Sequence, residues 1–127
     1  MTVLYLDASA ITKLVVAEPE SRALRARVRG ERLVSSRIAF VEVSKAVARA
    51  NPGADAGPVL AHLAFVELDV ELARIAAAVG GPGLRALDAI HLASALRVAR
   101  EVSAFVTYDD RQAAAVEAAG LPLEAPA

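Results

Sequence analysis

The stretch Val3-Leu4-Tyr5-Leu6-Asp7-Ala8-Ser9 decides how the chain is read. Its first half is a short apolar run of strand-forming residues, the pattern of a strand buried on both faces of a parallel sheet. Asp7 closes that run, and a carboxylate ending a central strand stands at the edge where open α/β sheets bind their ligands. Working outward, strand-like runs cover Thr2 to Leu6, Arg32 to Ser35, Phe65 to Asp69, Ala104 to Thr107 and, weakly, Leu121 to Leu123. Helical patterns fill the intervals: Ser9 to Ala17, Ser21 to Arg29, Ser36 to Ala50, Ala54 to Ala64, Val70 to Val79, Leu87 to Arg100 and Arg111 to Ala119. Gly30, the Asn51-Pro52-Gly53 turn, Gly80-Gly81-Pro82-Gly83 and Gly120 punctuate them. The alternation predicts an α/β fold, a parallel sheet with helices on both faces.

That architecture places the acids. Asp7 ends the first strand and Asp109 follows the fourth, so both belong to the C-terminal edge of the sheet. Glu42 lies about two turns into the helix that leaves the second strand at that edge. Asp88 opens the helix that must descend to the start of the fourth strand. The segment from Gly80 to Ala86, at up to ~3.3 Å per extended residue, can climb the ~15 Å that a ten-residue helix descends. All four acids can therefore converge. Crowded carboxylates repel one another unless a cation neutralises them, which predicts a divalent metal site suited to phosphate chemistry.

Each acid also has a structural explanation. Asp109 with Gln112 resembles a capping box, Asp88 suits the first turn of a helix, Asp7 can cap the helix that follows, and Glu42 can pair with Lys45. The helix around Asp88 favours function. From Leu87 to Leu96 its polar side chains are Asp88, His91 and Ser94, three apart along one seam of an otherwise apolar surface. His91 is expected to hydrogen-bond Asp88 or a backbone carbonyl, with a role as ligand or base as the alternative. No histidine pair has metal-ligand spacing and there is no cysteine, which argues for oxygen ligands over zinc chemistry.

The 127 residues suggest one domain, residues 1–127. Although 56% of residues are hydrophobic, charges interrupt every apolar run before the ~18 residues that would read as a membrane span. A soluble, cytoplasmic protein is the expectation. The net charge of −1 argues against indiscriminate nucleic-acid binding. Positive charge is nevertheless concentrated between Arg22 and Arg37, where Arg22, Arg25 and Arg29 share a helix face that fits phosphate contact, ordinary solvation or the docking of an acidic partner.

Taken together, Leu6-Asp7-Ala8-Ser9-Ala10, Glu42 within Ser36-Arg-Ile-Ala-Phe-Val-Glu-Val, Leu87-Asp-Ala-Ile-His-Leu-Ala-Ser-Ala and Val106-Thr-Tyr-Asp-Asp resemble the PIN-domain ribonucleases, and among them the VapC toxins of toxin-antitoxin modules. The resemblance covers nearly the whole chain. It implies a three-layer α/β/α fold with a mostly parallel sheet, and an endoribonuclease site dependent on Mg²⁺ or Mn²⁺ and built from Asp7, Glu42, Asp88 and Asp109. The Thr-x-Asp pattern selects Asp109, with Asp110 acting through water as an alternative. Ser9 and Thr107 are candidate supports for a carboxylate or a metal-bound water, with capping as the alternative for Ser9. Lys13 and Arg85 are candidate RNA phosphate contacts. The resemblance further implies a cognate VapB-type antitoxin that blocks the acids, and a homodimer or a hetero-oligomer with that antitoxin. A PIN-like RNA- or protein-binding module without turnover and a housekeeping RNA-processing nuclease are the alternatives. A phosphoacceptor receiver domain, which Asp69 and Thr107 imitate, would need a lysine that Leu121-Pro122-Leu123 does not supply. A haloacid-dehalogenase-like phosphatase would need Asp-x-Asp where the chain has Asp7-Ala8-Ser9.

Overall fold

The computed structural model describes residues 2–127. Among these the elements run β1 (Val3–Leu6), α1 (Ala8–Val15), α2 (Ser21–Val28), β2 (Arg32–Ser36), α3 (Arg37–Ala50), α4 (Gly57–Ala61), β3 (Leu63–Val66), α5 (Val70–Ala78), α6 (Ala86–Arg97), β4 (Val102–Val106), α7 (Asp110–Ala118) and β5 (Leu123–Glu124). The strands form one sheet in the order β3-β2-β1-β4-β5. Every pairing is parallel, so the expected mostly parallel sheet is parallel throughout.

The two-residue period of a strand sorts the core into two halves. Leu4 and Leu6 of β1 and Ala104 and Val106 of β4 join one cluster with Ile11, Leu24 and Val43, beneath α1, α2 and α3. Tyr5 and Phe105 turn the other way, into a second cluster with Leu72, Leu92 and Val116 from α5, α6 and α7. The sheet is thus the middle of three layers, as expected. Because β1 has β2 on one side and β4 on the other, the direction of winding reverses between β1 and β4. That reversal opens a crevice at the C-terminal ends of those two strands.

Several boundaries differ from the sequence reading. The helix expected over Ala54 to Ala64 is the short α4, because Pro58 belongs at its first turn and the chain turns extended immediately after the cap residue His62. The third strand accordingly runs Leu63–Val66, pairing Leu33 with Leu63 through Ser36 with Val66, and not from Phe65 to Asp69. Asp69 is instead the N-cap of α5, accepting a hydrogen bond from the Leu72 amide at 2.8 Å. Both its oxygens also bind the Arg97 guanidinium, at 2.9 and 3.0 Å. Its carboxylate is spent on structure, which removes the imitation of a receiver domain. β5 pairs at Leu123 and Glu124, displaced from Leu121 to Leu123. Among the described residues no helix is long and apolar enough to cross a membrane.

Candidate functional site

Asp7 leaves β1 at the crevice and is 5% exposed. It is the N-cap of α1, accepting from the Ala10 amide at 3.2 Å. Ser9 Oγ donates to Oδ1 at 2.6 Å and Thr107 Oγ1 to Oδ2 at 2.5 Å. Burial raises the pKa of this carboxyl above its ordinary value, and the Ser9 and Thr107 hydroxyls oppose that rise by stabilising the ionised form. Ser9 is thus a partner of the carboxylate and not the cap of α1, and it also accepts from the Tyr108 amide at 3.0 Å. Thr107 accepts from the Asp109 amide at 3.1 Å. These hydroxyls tie the ends of β1 and β4 together around one carboxylate.

Asp109 is the N-cap of α7, where Oδ1 accepts from the amides of Arg111 at 2.9 Å and Gln112 at 3.0 Å. The capping expected from its spacing to Gln112 is real, yet it engages one oxygen only. The Gln112 side chain, 1% exposed, turns inward and donates to the Asp88 carbonyl at 3.3 Å. Asp88, half-buried in the first turn of α6, has no hydrogen-bonded side-chain oxygen among the described residues. Burial raises its pKa, and the negative charges of Asp109 and Asp7 raise it further, against smaller opposition from His91 and Arg111.

Glu42 reaches the same edge from α3. Its Oε1 lies 2.7 Å from His91 Nε2, and His91 Nδ1 lies 2.7 Å from the Tyr5 hydroxyl. His91 therefore bonds neither Asp88 nor a backbone carbonyl. The seam of α6 that carries it packs over β1 and β2, above a Tyr5 hydroxyl that is fully buried and must find a partner there. With the Glu42 oxygen as acceptor, Nε2 is the donor, and Nδ1 accepts from the Tyr5 hydroxyl. Burial holds the Tyr5 phenol well above its ordinary 10.0, which keeps that proton in place. Neither Tyr5 nor the bridging role of His91 was anticipated, and the available signal was a lone tyrosine in an apolar strand paired with a lone histidine in an apolar helix. The expected Glu42 pairing with Lys45 is absent among the described residues.

Glu42, Asp88 and Asp109 line one cavity of about 320 Å³ together with Arg85, Leu87 and Arg111. Arg85 is where the sequence placed it, and Arg111 joins it unforeseen. Asp110 is exposed in the first turn of α7 and does not line this cavity. Lys13 is buried and held between Glu18 at 2.5 Å and Glu20 at 2.9 Å, with its ammonium 4.9 Å from the Tyr108 ring centroid. A lysine so committed is poorly placed to take a phosphate.

The donors facing this cavity are carboxylate oxygens, which suit hard cations such as Mg²⁺ or Mn²⁺. Uncompensated negative charge at Asp88 adds to the fit. Among the described residues, however, no three acids or histidines come close enough together to hold an ion unaided. That limits the match to an ion bound by one or two carboxylates that keeps much of its water, the usual manner of Mg²⁺.

Residues 4–118 match the PIN domain family model. Ribonuclease VapC46 of Mycobacterium tuberculosis is 42% identical over 129 residues, covering 99% of each chain. Ribonuclease VapC47 of the same species is 40% identical over 116 residues, covering 85% of each chain. The crystal structure of M. tuberculosis VapC20, a sarcin-ricin loop cleaving toxin, superposes with a TM-score of 0.74 over 97% of this chain and 99% of that one, at 13% identity. The last likeness establishes the fold alone, while the family match and the identities establish kinship. This chain belongs to the PIN-domain family, among its VapC-type members.

Proposed function

We propose that this chain is a metal-dependent endoribonuclease toxin of a toxin-antitoxin module. The observation that carries the reading is the meeting of Glu42, Asp88 and Asp109, from three different helical elements, on one cavity beside the buried Asp7. Asp7, Asp88 and Asp109 would be the principal ligands of Mg²⁺ or Mn²⁺, one or two of them directly and the rest through its retained waters, with Glu42 as a further ligand or as the group that orients the attacking water. Such an ion supplies positive charge at the phosphate and lowers the pKa of a water that becomes the nucleophile. The protein's own residues prepare the rest. Ser9 and Thr107 fix both oxygens of Asp7. His91 occupies Oε1 of Glu42 and leaves Oε2 free to take a proton from water. Arg85 and Arg111, exposed on the rim, bring positive charge to the scissile phosphate.

The relatives named as ribonucleases support RNA as the substrate, and VapC kinship supports a VapB-type antitoxin partner, a cytoplasmic site of action and assembly as a homodimer or with the antitoxin. A PIN-like binding module without turnover is the second reading, favoured by the lack of three converging ligands among the described residues. The test is cleavage of a mixed RNA pool by purified protein with Mg²⁺ or Mn²⁺, beside EDTA and Asp7→Asn controls. Cuts abolished by both controls are expected. Folded, antitoxin-free protein that makes no metal-dependent cut would overturn the nuclease reading in favour of the binding module.

A further inference from the structure

Beyond the acid cavity, α3 continues as a cationic face. Glu42, Lys45 and Arg49 stand at positions i, i+3 and i+7, one side of the helix, with Arg49 about 10 Å along the axis from Glu42. All three line a second, larger cavity of about 560 Å³ between α1 and α3, whose opposite wall includes Ser9, Lys13 and Tyr108. This groove shares Glu42 and Leu87 with the acid cavity, so the two are continuous across the side chain of Glu42. Lys45 and Arg49 are exposed, and among the described residues neither is paired with a carboxylate. Lys13 of the same groove is fully engaged by Glu18 and Glu20. The positive charge that this groove can offer a ligand is therefore that of Lys45 and Arg49.

We infer that the groove between α1 and α3 is the path of the RNA strand flanking the scissile bond, with Lys45 and Arg49 each contacting a backbone phosphate. The inference rests on the nuclease reading above and adds where the strand runs. An open groove with exposed, unpaired cations at its wall suits a flexible polyanion, since phosphate contacts by lysine and arginine gain by counterion release and need no exact fit. The arginine face of α2 is the competing location. Arg25 lines a different cavity, with Leu14, Leu33 and His62, that shares no residue with the acid cavity. A strand lying there would not continue into the site of cleavage.

The test is binding of a short fluorescein-labelled single-stranded RNA of mixed sequence, followed by anisotropy across a salt series in EDTA so that no cutting intervenes. Each phosphate contact on a single strand contributes about 0.7 to the slope of log K against log salt. Lys45→Gln/Arg49→Gln should therefore lower that slope by about 1.4 relative to the unmodified protein, with thermal unfolding unchanged because both side chains are exposed. Arg22→Gln/Arg25→Gln should leave the slope as it is. An unaltered slope in the α3 double variant overturns the inference and leaves the nuclease reading standing. An equal loss in both double variants also overturns it, because the groove then has no privileged role. Protein that binds no RNA at all, while the mixed pool is likewise uncut, overturns both.

Discussion

Replacing His91 by Leu tests the buried bridge between Tyr5 and Glu42. Leu is close to His in volume, so the change removes two hydrogen bonds at little packing cost. At the Glu42 end water replaces the lost partner, because that side chain is 24% exposed. The Tyr5 end is different: its hydroxyl is fully buried, and stranding a buried polar group costs about 1–3 kcal/mol. Ser35 and Ser94, whose hydroxyls donate to the carbonyls of Leu6 and Ile90, lie close enough to Tyr5 to recover part of that loss. The expected destabilisation is then about 1–2 kcal/mol, in the lower part of that range, or a fall of about 4–8 °C in Tm for a chain of this size. Adding Tyr5→Phe removes the stranded hydroxyl, and replacing both partners by apolar groups is far cheaper than removing one. Urea denaturation of the two single variants and the double variant completes the cycle. The double variant should be at least as stable as His91→Leu alone, with a coupling energy of about 1 kcal/mol. Strictly additive losses would refute the bridge as an energetic unit.

Asp88→Asn should stabilise the protein at neutral pH while abolishing metal-dependent cleavage, because it removes a charge that burial and the neighbouring Asp109 and Asp7 disfavour. The sign follows from linkage: an acid whose folded pKa is raised holds its proton longer in the folded state, so folding loses stability as pH rises from the ordinary 3.8 through the raised value. The advantage of Asp88→Asn in denaturant midpoint should accordingly shrink as pH is lowered through that interval, and a pH-independent difference would contradict the assignment. Gly80→Ala should cost more than Gly81→Ala. Both glycines have positive φ, 72° and 73°, but a Cβ at Gly80 would stand 2.4 Å from Leu84 Cδ2 whereas one at Gly81 meets nothing. The shared backbone penalty is about 1 kcal/mol, and equal losses in thermal unfolding would show that Leu84 yields without cost.

The positions of Asp7, Asp88 and Asp109 were legible because each interrupts an apolar pattern at the end of an element, and the parallel topology then dictates which edge they share. Their partners were not. Tyr5 and His91 are separated by 86 residues and His91 and Glu42 by 49, and nothing in a local pattern reports such pairings. The pairing of Lys13 is illegible for a related reason: it depends on how the chain turns between α1 and α2 to bring Glu18 and Glu20 back over it. The third strand was misplaced because Leu63-Ala-Phe-Val-Glu-Leu-Asp-Val has no clear period, and pairing with β2, not propensity, sets where it begins. Arg27 and Arg37 show how a basic stretch dissolves on folding, one tied to Glu124 of β5 and the other to Glu67.

The central place of β1 has a consequence for synthesis on the ribosome. One of its neighbours, β2, follows within 29 residues, as in the pairing of Val3 with Arg32, whereas Asp7 waits for a Thr107 that lies 100 residues later. At about 5–20 residues per second, that interval lasts about 5–20 s. During it the nascent chain carries an unclosed sheet edge and an Asp7 without its second hydroxyl, and Asp109 emerges later still. A sheet wound from its middle outward in this way pairs β1 with β2 early, but the site at its switch point is complete only after Thr107 and Asp109 have been made.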